Sequence, residues 1–214
     1  MLEIQDWGLI EYNEGWSRQK EISSDIQKNR NRNVLVLCEH PSVITIGRAG
    51  GKENILMSEN FLNQLGVSIV EIDRGGDVTL HNPKQLVGYP IFNLSSMKED
   101  LHWFLREIEE CLIEIISHWG LKGDRVPGLT GVWIDGKRKI AAIGLHCSRW
   151  VSSHGFALNV ANNLMEFSYI VPCGISDKGV TSISQEIGTA VDTSEVKIIT
   201  TKIFENRFGK YFSV

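Results

Sequence analysis

The chain has 214 residues, 42% hydrophobic and 22% charged, with a formal net charge of -4. This is an ordinary soluble globular composition, long enough for one core, and its charge excludes a global field that draws in nucleic acid. Residues 1–6 are acidic and mixed, and no apolar run approaches bilayer length, so neither a secretory leader nor a membrane partner is expected.

In chain order, residues 11–28 read as a helix, and 33–39 and 42–46 as two strands broken by His40-Pro41, since proline cannot donate to a ladder. Residues 58–65 read as a short helix, 67–73 as a strand entering Arg74-Gly75-Gly76, and 86–94 as another strand. The clearest helix spans 99–119, where Leu101, Phe104, Leu105, Ile108, Leu112, Ile115, Ile116 and Trp119 recur at spacings of three and four. Gly120 stops it. Strands 131–135 and 138–148 meet at Asp135-Gly136, a hairpin signal. A strand over 153–160 and a helix over 192–212 follow, with Asp192 and Glu195 in capping-box spacing. Strands outnumber helices without strict alternation, and no linker divides residues 1–214. The expectation is one α+β domain, a mixed β-sheet with flanking helices.

Few residues here offer chemistry. Lys139 opens a run, Ile140 to Leu145, that is apolar on both faces. A lysine there either snorkels to water or is held for a purpose. The cysteines Cys38, Cys111, Cys147 and Cys173 form no CxxC pair, which fits a reduced compartment and a cytoplasmic protein. Cys38 lies inside a strand and Cys111 near the apolar helix stripe. Cys147 is roughly 26 Å along the strand from Lys139. Cys173 lies between Pro172 and Gly174, either as a thiol offered beside a backbone N–H or as a small hydrophobe in a tight turn.

Arg74-Gly75-Gly76-Asp77-Val78-Thr79-Leu80-His81 follows a strand. Its glycines permit close backbone approach to a ligand, and Arg74 suits an anion or carbonyl; a plain glycine hairpin fits equally. His154 before Gly155 either lines a cleft or pairs with a backbone carbonyl. His81, His146, His154 and Cys147 show no metal-ligand spacing, so no metal is expected.

These segments together resemble the octanoyltransferases of lipoate biosynthesis, also called lipoyl(octanoyl) transferases. The similarity runs through Glu39-His40-Pro41 with Gly47-Arg48, Arg74 to His81 with Pro83 and Gln85, Gly131-Val132-Trp133-Ile134, Arg138 to Gly144, Ser153 to Asn159, and Val171-Pro172-Cys173-Gly174-Ile175 with Val180-Thr181-Ser182. The ordered set covers about residues 34–185. It implies a lipoate/biotin protein ligase-like fold. By resemblance, Cys173 is the acyl-thioester nucleophile and Lys139 the residue that lowers its pKa and handles protons. Substrate-binding segments are implied at Arg74, Gly75, Gly76, Asp77, Val78, Thr79, Leu80 and His81; at Ala142, Ile143 and Gly144; and at His154, Gly155, Phe156 and Ala157.

The implied reaction moves an octanoyl group from octanoyl-acyl carrier protein to a lysine of lipoyl-domain proteins, namely 2-oxoacid dehydrogenase subunits and the glycine cleavage H protein. The expected enzyme is a monomer that needs no cofactor. A free cysteine has a pKa near 8.5; lowering it to about 6.5 needs roughly 2.7 kcal/mol. A lysine ammonium about 4 Å away supplies about 4 kcal/mol at an effective dielectric near 20, before its own desolvation. Three rivals stay open: an ATP-dependent lipoate or biotin protein ligase, a lipoyl-domain amidotransferase, and a non-catalytic acyl-carrier-binding protein. Arg48, Lys52, Lys84, Lys137 and Arg138 are candidates for a basic docking patch. The family's usual glycines are replaced by Asn82 and Lys84, side chains expected to narrow or recharge the entrance.

Overall fold

A computed structural model describes residues 2–171 and 178–212. The strands are β1 (Leu2–Leu9), β2 (Asn33–Glu39), β3 (Val43–Ile46), β4 (Ser68–Glu71), β5 (Val78–His81), β6 (Gln85–Ile91), β7 (Gly123–Val126), β8 (Leu129–Ile134), β9 (Arg138–Ser148), β10 (Val151–Asn159) and β11 (Gly179–Val180). The helices are α1 (Tyr12–Asn29), α2 (Glu59–Gln64), α3 (Leu101–Ser117), α4 (Ile183–Ile187) and α5 (Thr193–Phe208). The larger sheet has eight strands in the order β1-β2-β6-β10-β9-β8-β7, with β11 beside β9; β4-β3-β5 form a second, smaller sheet. Parallel pairs (β1/β2, β3/β4, β9/β11) mix with antiparallel ones, as expected for α+β.

The large sheet is covered on both faces. Leu35 and Leu37 of β2 pack in the cluster under α3 and α5, while Val34, Val36 and Cys38 pack in the cluster that holds Ile26 of α1. Double coverage is why this strand reads as an unbroken apolar run. The stripe of α3 is buried as its spacing predicts, through Phe104, Ile108, Leu112, Ile115 and Ile116. Each such side chain contributes about 1.5–3 kcal/mol through burial. Asp100 caps the helix by accepting from Trp103 N at 2.9 Å. Gly120 closes it at φ +73°. Asp135 and Gly136 take φ +52° and +64°, and Lys137 N donates to Ile134 O at 3.0 Å, the geometry of a primed hairpin turn.

Four strands differ from the sequence reading: β1, β5, β7 and β11 are not marked by local pattern. β1 is broken by a register shift between Asp6 and Gly8 and is defined by its parallel pairing to β2. β5 is the far arm of the glycine segment, and its Val78 and Leu80 pack into the small-sheet core. β7 carries Asp124 and Arg125 and, among the described residues, pairs only with β8. At α5, Asp192 caps by accepting from Ser194 N at 2.9 Å, in place of the N3 amide of a capping box. No helix of the described residues is long and apolar enough to cross a membrane.

Candidate active site

Strand β9 stays paired to β10 at Ala142, Ile143 and Gly144, beyond the end of its ladder with β8. Both faces there were expected to be buried, but these residues are only partly covered because they line two adjoining cavities. The first is narrow and is walled by Arg74, Gly76, Asp77, Val78, Thr79, His81, Ala142, Ile143, Gly144, His154, Gly155, Phe156 and Ala157, with Tyr12, Val87 and Tyr89. The second is an open groove that shares Gly76, Asp77 and Ala142 to Gly144 with the first and adds Gly75, Lys139, Leu101, His102, Leu105 and Leu129. Segments distant in sequence therefore meet at one place. Leu80 is the exception: it is buried in the small-sheet core and lines neither cavity.

The close fit of the Arg74–Asp77 loop depends on glycines. Gly75 N donates to Leu145 O at 2.9 Å. A Cβ on Gly144 would lie 2.9 Å from both Arg74 Cδ and Gly75 O. A Cβ on Gly47 would overlap Gly76 O. Arg74 turns inward, donating from Nη2 to Thr45 O at 2.8 Å and from Nη1 to Gly75 O at 3.0 Å. It lines the first cavity while tying the loop to β3.

The histidines are tuned by burial. His81 Nδ1 donates to Gln85 Oε1 at 2.8 Å, and Gln85 Nε2 donates to Asn159 Oδ1 at 2.9 Å. Desolvation holds the His81 pKa down to about 3. The ring is thus neutral, with its proton on Nδ1 and an acceptor at Nε2. His40 donates from Nδ1 to Ile10 O and accepts at Nε2 from Tyr89 O–H at 2.7 Å; burial lowers its pKa to about 4. Burial pushes the Tyr12 and Tyr89 hydroxyls up, so both stay protonated. His154 donates from Nε2 to Asp73 Oδ1 at 2.8 Å. Burial lowers its pKa against the opposing pull of Asp73. Asp73 itself is lowered, since the His154 hydrogen bond and the charges of His154 and His146 outweigh desolvation.

Lys139 is 9% exposed, and its Nζ lies 4.7 Å from the centre of the Trp133 ring. Cys173 lies outside the described residues. The chain on either side is described. Val171 N donates to Asn54 O at 2.8 Å, and Asn54 Nδ2 donates to Asp77 Oδ2 at 2.7 Å. On the other side, Val180 pairs with Lys139, and Thr181 N donates to Lys139 O at 2.9 Å.

Two expectations about the entrance change. Asn82 is buried, donating to Asn163 O and accepting from Asn162 Nδ2, both at 2.9 Å. Lys84 takes φ +68° and its amide donates to Glu39 Oε2 at 2.7 Å. Neither lines either cavity, so neither narrows them. The φ of Lys84 explains why glycine suits that position. The proposed basic patch is also partly neutralised: Arg138 binds Glu186 at 2.8 Å and Asp135 at 2.9 Å, and Lys52 faces Glu71 at 3.9 Å.

Sequence reasoning missed Tyr12, Val87 and Tyr89 in the narrow cavity and Leu101, His102, Leu105 and Leu129 in the groove. The tyrosines sit within helix and strand patterns that look like core. The hydrogen bond from Tyr89 to His40 marks it as part of a polar wall.

Solved structures with this architecture include a putative lipoate protein ligase from T. acidophilum with bound lipoic acid, at 14% identity and TM-score 0.74, covering 97% of this chain and 86% of that one. Another is lipoate-protein ligase A bound with ATP, at 16% identity and TM-score 0.72, covering 97% and 85%. A biotin protein ligase from Aquifex aeolicus aligns at 13% identity and TM-score 0.57, covering 98% and 71%. The fold is that of the lipoate and biotin protein ligases. In sequence, the family described as "Lipoyl protein ligase A/B catalytic domain" matches residues 11–205. An octanoyltransferase of Cytophaga hutchinsonii is 45% identical over 91% of this chain and 87% of its own length. One from Christiangramia forsetii is 42% identical over 97% and 95%. The chain belongs to the lipoyl protein ligase A/B catalytic domain family and, within it, to the octanoyltransferases.

Proposed function

We propose that residues 1–214 act as one catalytic unit that transfers an octanoyl group from octanoyl-acyl carrier protein to a lysine of lipoyl-domain proteins. The observation that carries this reading is the setting of Lys139. It lines a groove built from the family's binding segments, and its own backbone pairs with Val180 and Thr181, just beyond the segment that holds Cys173. The relatives' name, octanoyltransferase, supports the acyl group.

In the proposed reaction the Cys173 thiolate attacks the carbonyl carbon of the donor thioester. The carbon–sulfur bond to the carrier's pantetheine breaks, and that thiolate leaves with a proton from the Lys139 ammonium, which becomes a neutral amine. The acceptor lysine's neutral amine then attacks octanoyl-Cys173. Lys139 takes the amine proton, an amide forms, and the Cys173 thiolate is released. A thioester becomes an amide, which is downhill, so no nucleotide is required. The neutral His81 and the apolar walls of Val78, Val87 and Phe156 suit an uncharged acyl chain in the narrow cavity. The two protein partners would use the site in turn.

Intact mass tests this. Mixed with octanoyl carrier protein and no ATP, the protein should gain one octanoyl group. The adduct should vanish on adding a lipoyl domain and be absent from Cys173→Ala. If neither an adduct nor an acylated lipoyl domain forms, the reading fails; rescue by ATP would then assign a ligase.

A further inference from the structure

We propose that Trp133 is a positioning residue that holds the Lys139 ammonium for proton transfer; this rests on the role given to Lys139 above. Trp133 of β8 stands opposite Lys139 of β9 in the strand register. The indole is 1% exposed, and the Lys139 ammonium sits over its ring at 4.7 Å, within cation–π range.

The surroundings aim this ring. β8 slips register between Val132 and Trp133, and such irregularities redirect a side chain. Just before it, Gly131 takes φ +115°, and a Cβ there would overlap Ala141 O. The Gly131 N–H donates to Glu109 Oε1 at 3.0 Å. Glu109 is fully buried and is itself held by Arg106 at 2.6 Å and Arg125 at 2.9 Å. A fixed carboxylate on α3 therefore sets the backbone that presents the indole.

The indole is also a costly choice as mere filling. Among the described residues its Nε1–H has no hydrogen-bond partner, and a buried orphan donor is destabilising. A phenylalanine would fill apolar space without that cost. What the indole adds over phenylalanine is a stronger face for a cation. Lys178, which donates to Gly136 O at 2.8 Å, places a second ammonium 5.6 Å from the same ring. A lysine has a long flexible stem, and a desolvated ring face restricts where its nitrogen can sit.

The test compares Trp133→Phe, Trp133→Leu and a series with mono- to tetrafluorotryptophan placed at position 133. Fluorination drains the ring face while nearly keeping its shape, so misfolding cannot mimic the result. The expected result is a kcat about tenfold lower for Trp133→Leu, the order of a desolvated cation–π contact. Partial recovery is expected in Trp133→Phe, with a stepwise fall along the fluorine series. KM for the acyl donor and Tm across the fluorine series should stay within error. A kcat indifferent to fluorination overturns the proposal. Lys139→Ala is assayed alongside: if it transfers normally, the parent reading of Lys139 is what fails, and if it is inactive while the fluorine series is flat, only the role of Trp133 fails.

Discussion

His154 donates from Nε2 to Asp73 Oδ1 at 2.8 Å while its own backbone sits at φ +56° inside β10. Left-handed backbone is uncommon for residues other than glycine, and strain of this kind persists only where surrounding contacts impose it. Here the constraints are that bond and the one from His154 N to Gln19 Oε1 at 3.0 Å. Asp73→Ala removes the acceptor of a buried N–H, which costs about 1–3 kcal/mol. In a chain of this size that lowers Tm by roughly 2–4 °C per kcal/mol. KM for the acyl donor should rise as well, because His154 and Gly155 wall the narrow cavity. Thermal melts and donor titrations check both; an unchanged Tm would show that the bond does not hold the strained backbone of His154.

Burial of neutral imidazoles sets an acid limit to stability. His40 and His81 have folded pKa values of about 4 and about 3, below the unfolded value near 6.5. A depressed folded pKa means the unfolded chain binds more protons, so stability is complete above about pH 6.5 and falls as the pH drops toward those values. The slope is about 1.4 kcal/mol per pH unit for each histidine. Tm measured from pH 7.5 to pH 5 should fall steadily, and His81→Gln should flatten the curve. A Tm independent of pH over this range would contradict neutral burial.

Gly144→Ala should damage binding more than folding. Its Cβ would meet Arg74 Cδ and Gly75 O at 2.9 Å, so the loop shared by both cavities must shift outward. Overpacking of this kind costs about 1–3 kcal/mol. The expected signature is a soluble protein with a donor KM raised about tenfold or more, read from initial rates. Near-normal KM would mean the loop does not contact the donor.

Lys84→Gly should leave acyl-chain preference unchanged, because Lys84 lines neither cavity. Its φ of +68° favours glycine by about 1–2 kcal/mol, while glycine's greater unfolded freedom costs about 0.4–1 kcal/mol. Net stability should therefore move upward by between about zero and about 1.6 kcal/mol. Competition among C6, C8 and C10 donors measures the preference; a changed ranking would place Lys84 at the entrance after all.

What could be read locally was read well. β2 and β9 run as their apolar sequences predict, α3 shows its stripe and its stop at Gly120, and Asp135-Gly136 makes the expected turn. These features depend on side-chain period and on the conformational freedom of a few residues, which act within ten or so positions. The family motifs also named most of the cavity wall. What local pattern could not supply was pairing between distant segments. β1 exists because β2 offers it a parallel edge, and β5 because β3 offers it an antiparallel one.

The cavities show the same division. Residue types marked Lys139 as unusual, yet only the fold put Trp133 opposite it, set Val180 beside it and opened a groove along α3. Asn82 and Lys84 looked like changes to the entrance because they adjoin His81 in sequence; the turn between β5 and β6 carries them away from it, toward Asn163 and Glu39. Sequence alone determined most of the elements, the candidate side chains and the family, because those follow from composition, period and motif order. The tertiary structure decided which of those side chains share a space, because that is set by strand order and by backbones that glycine allows to touch.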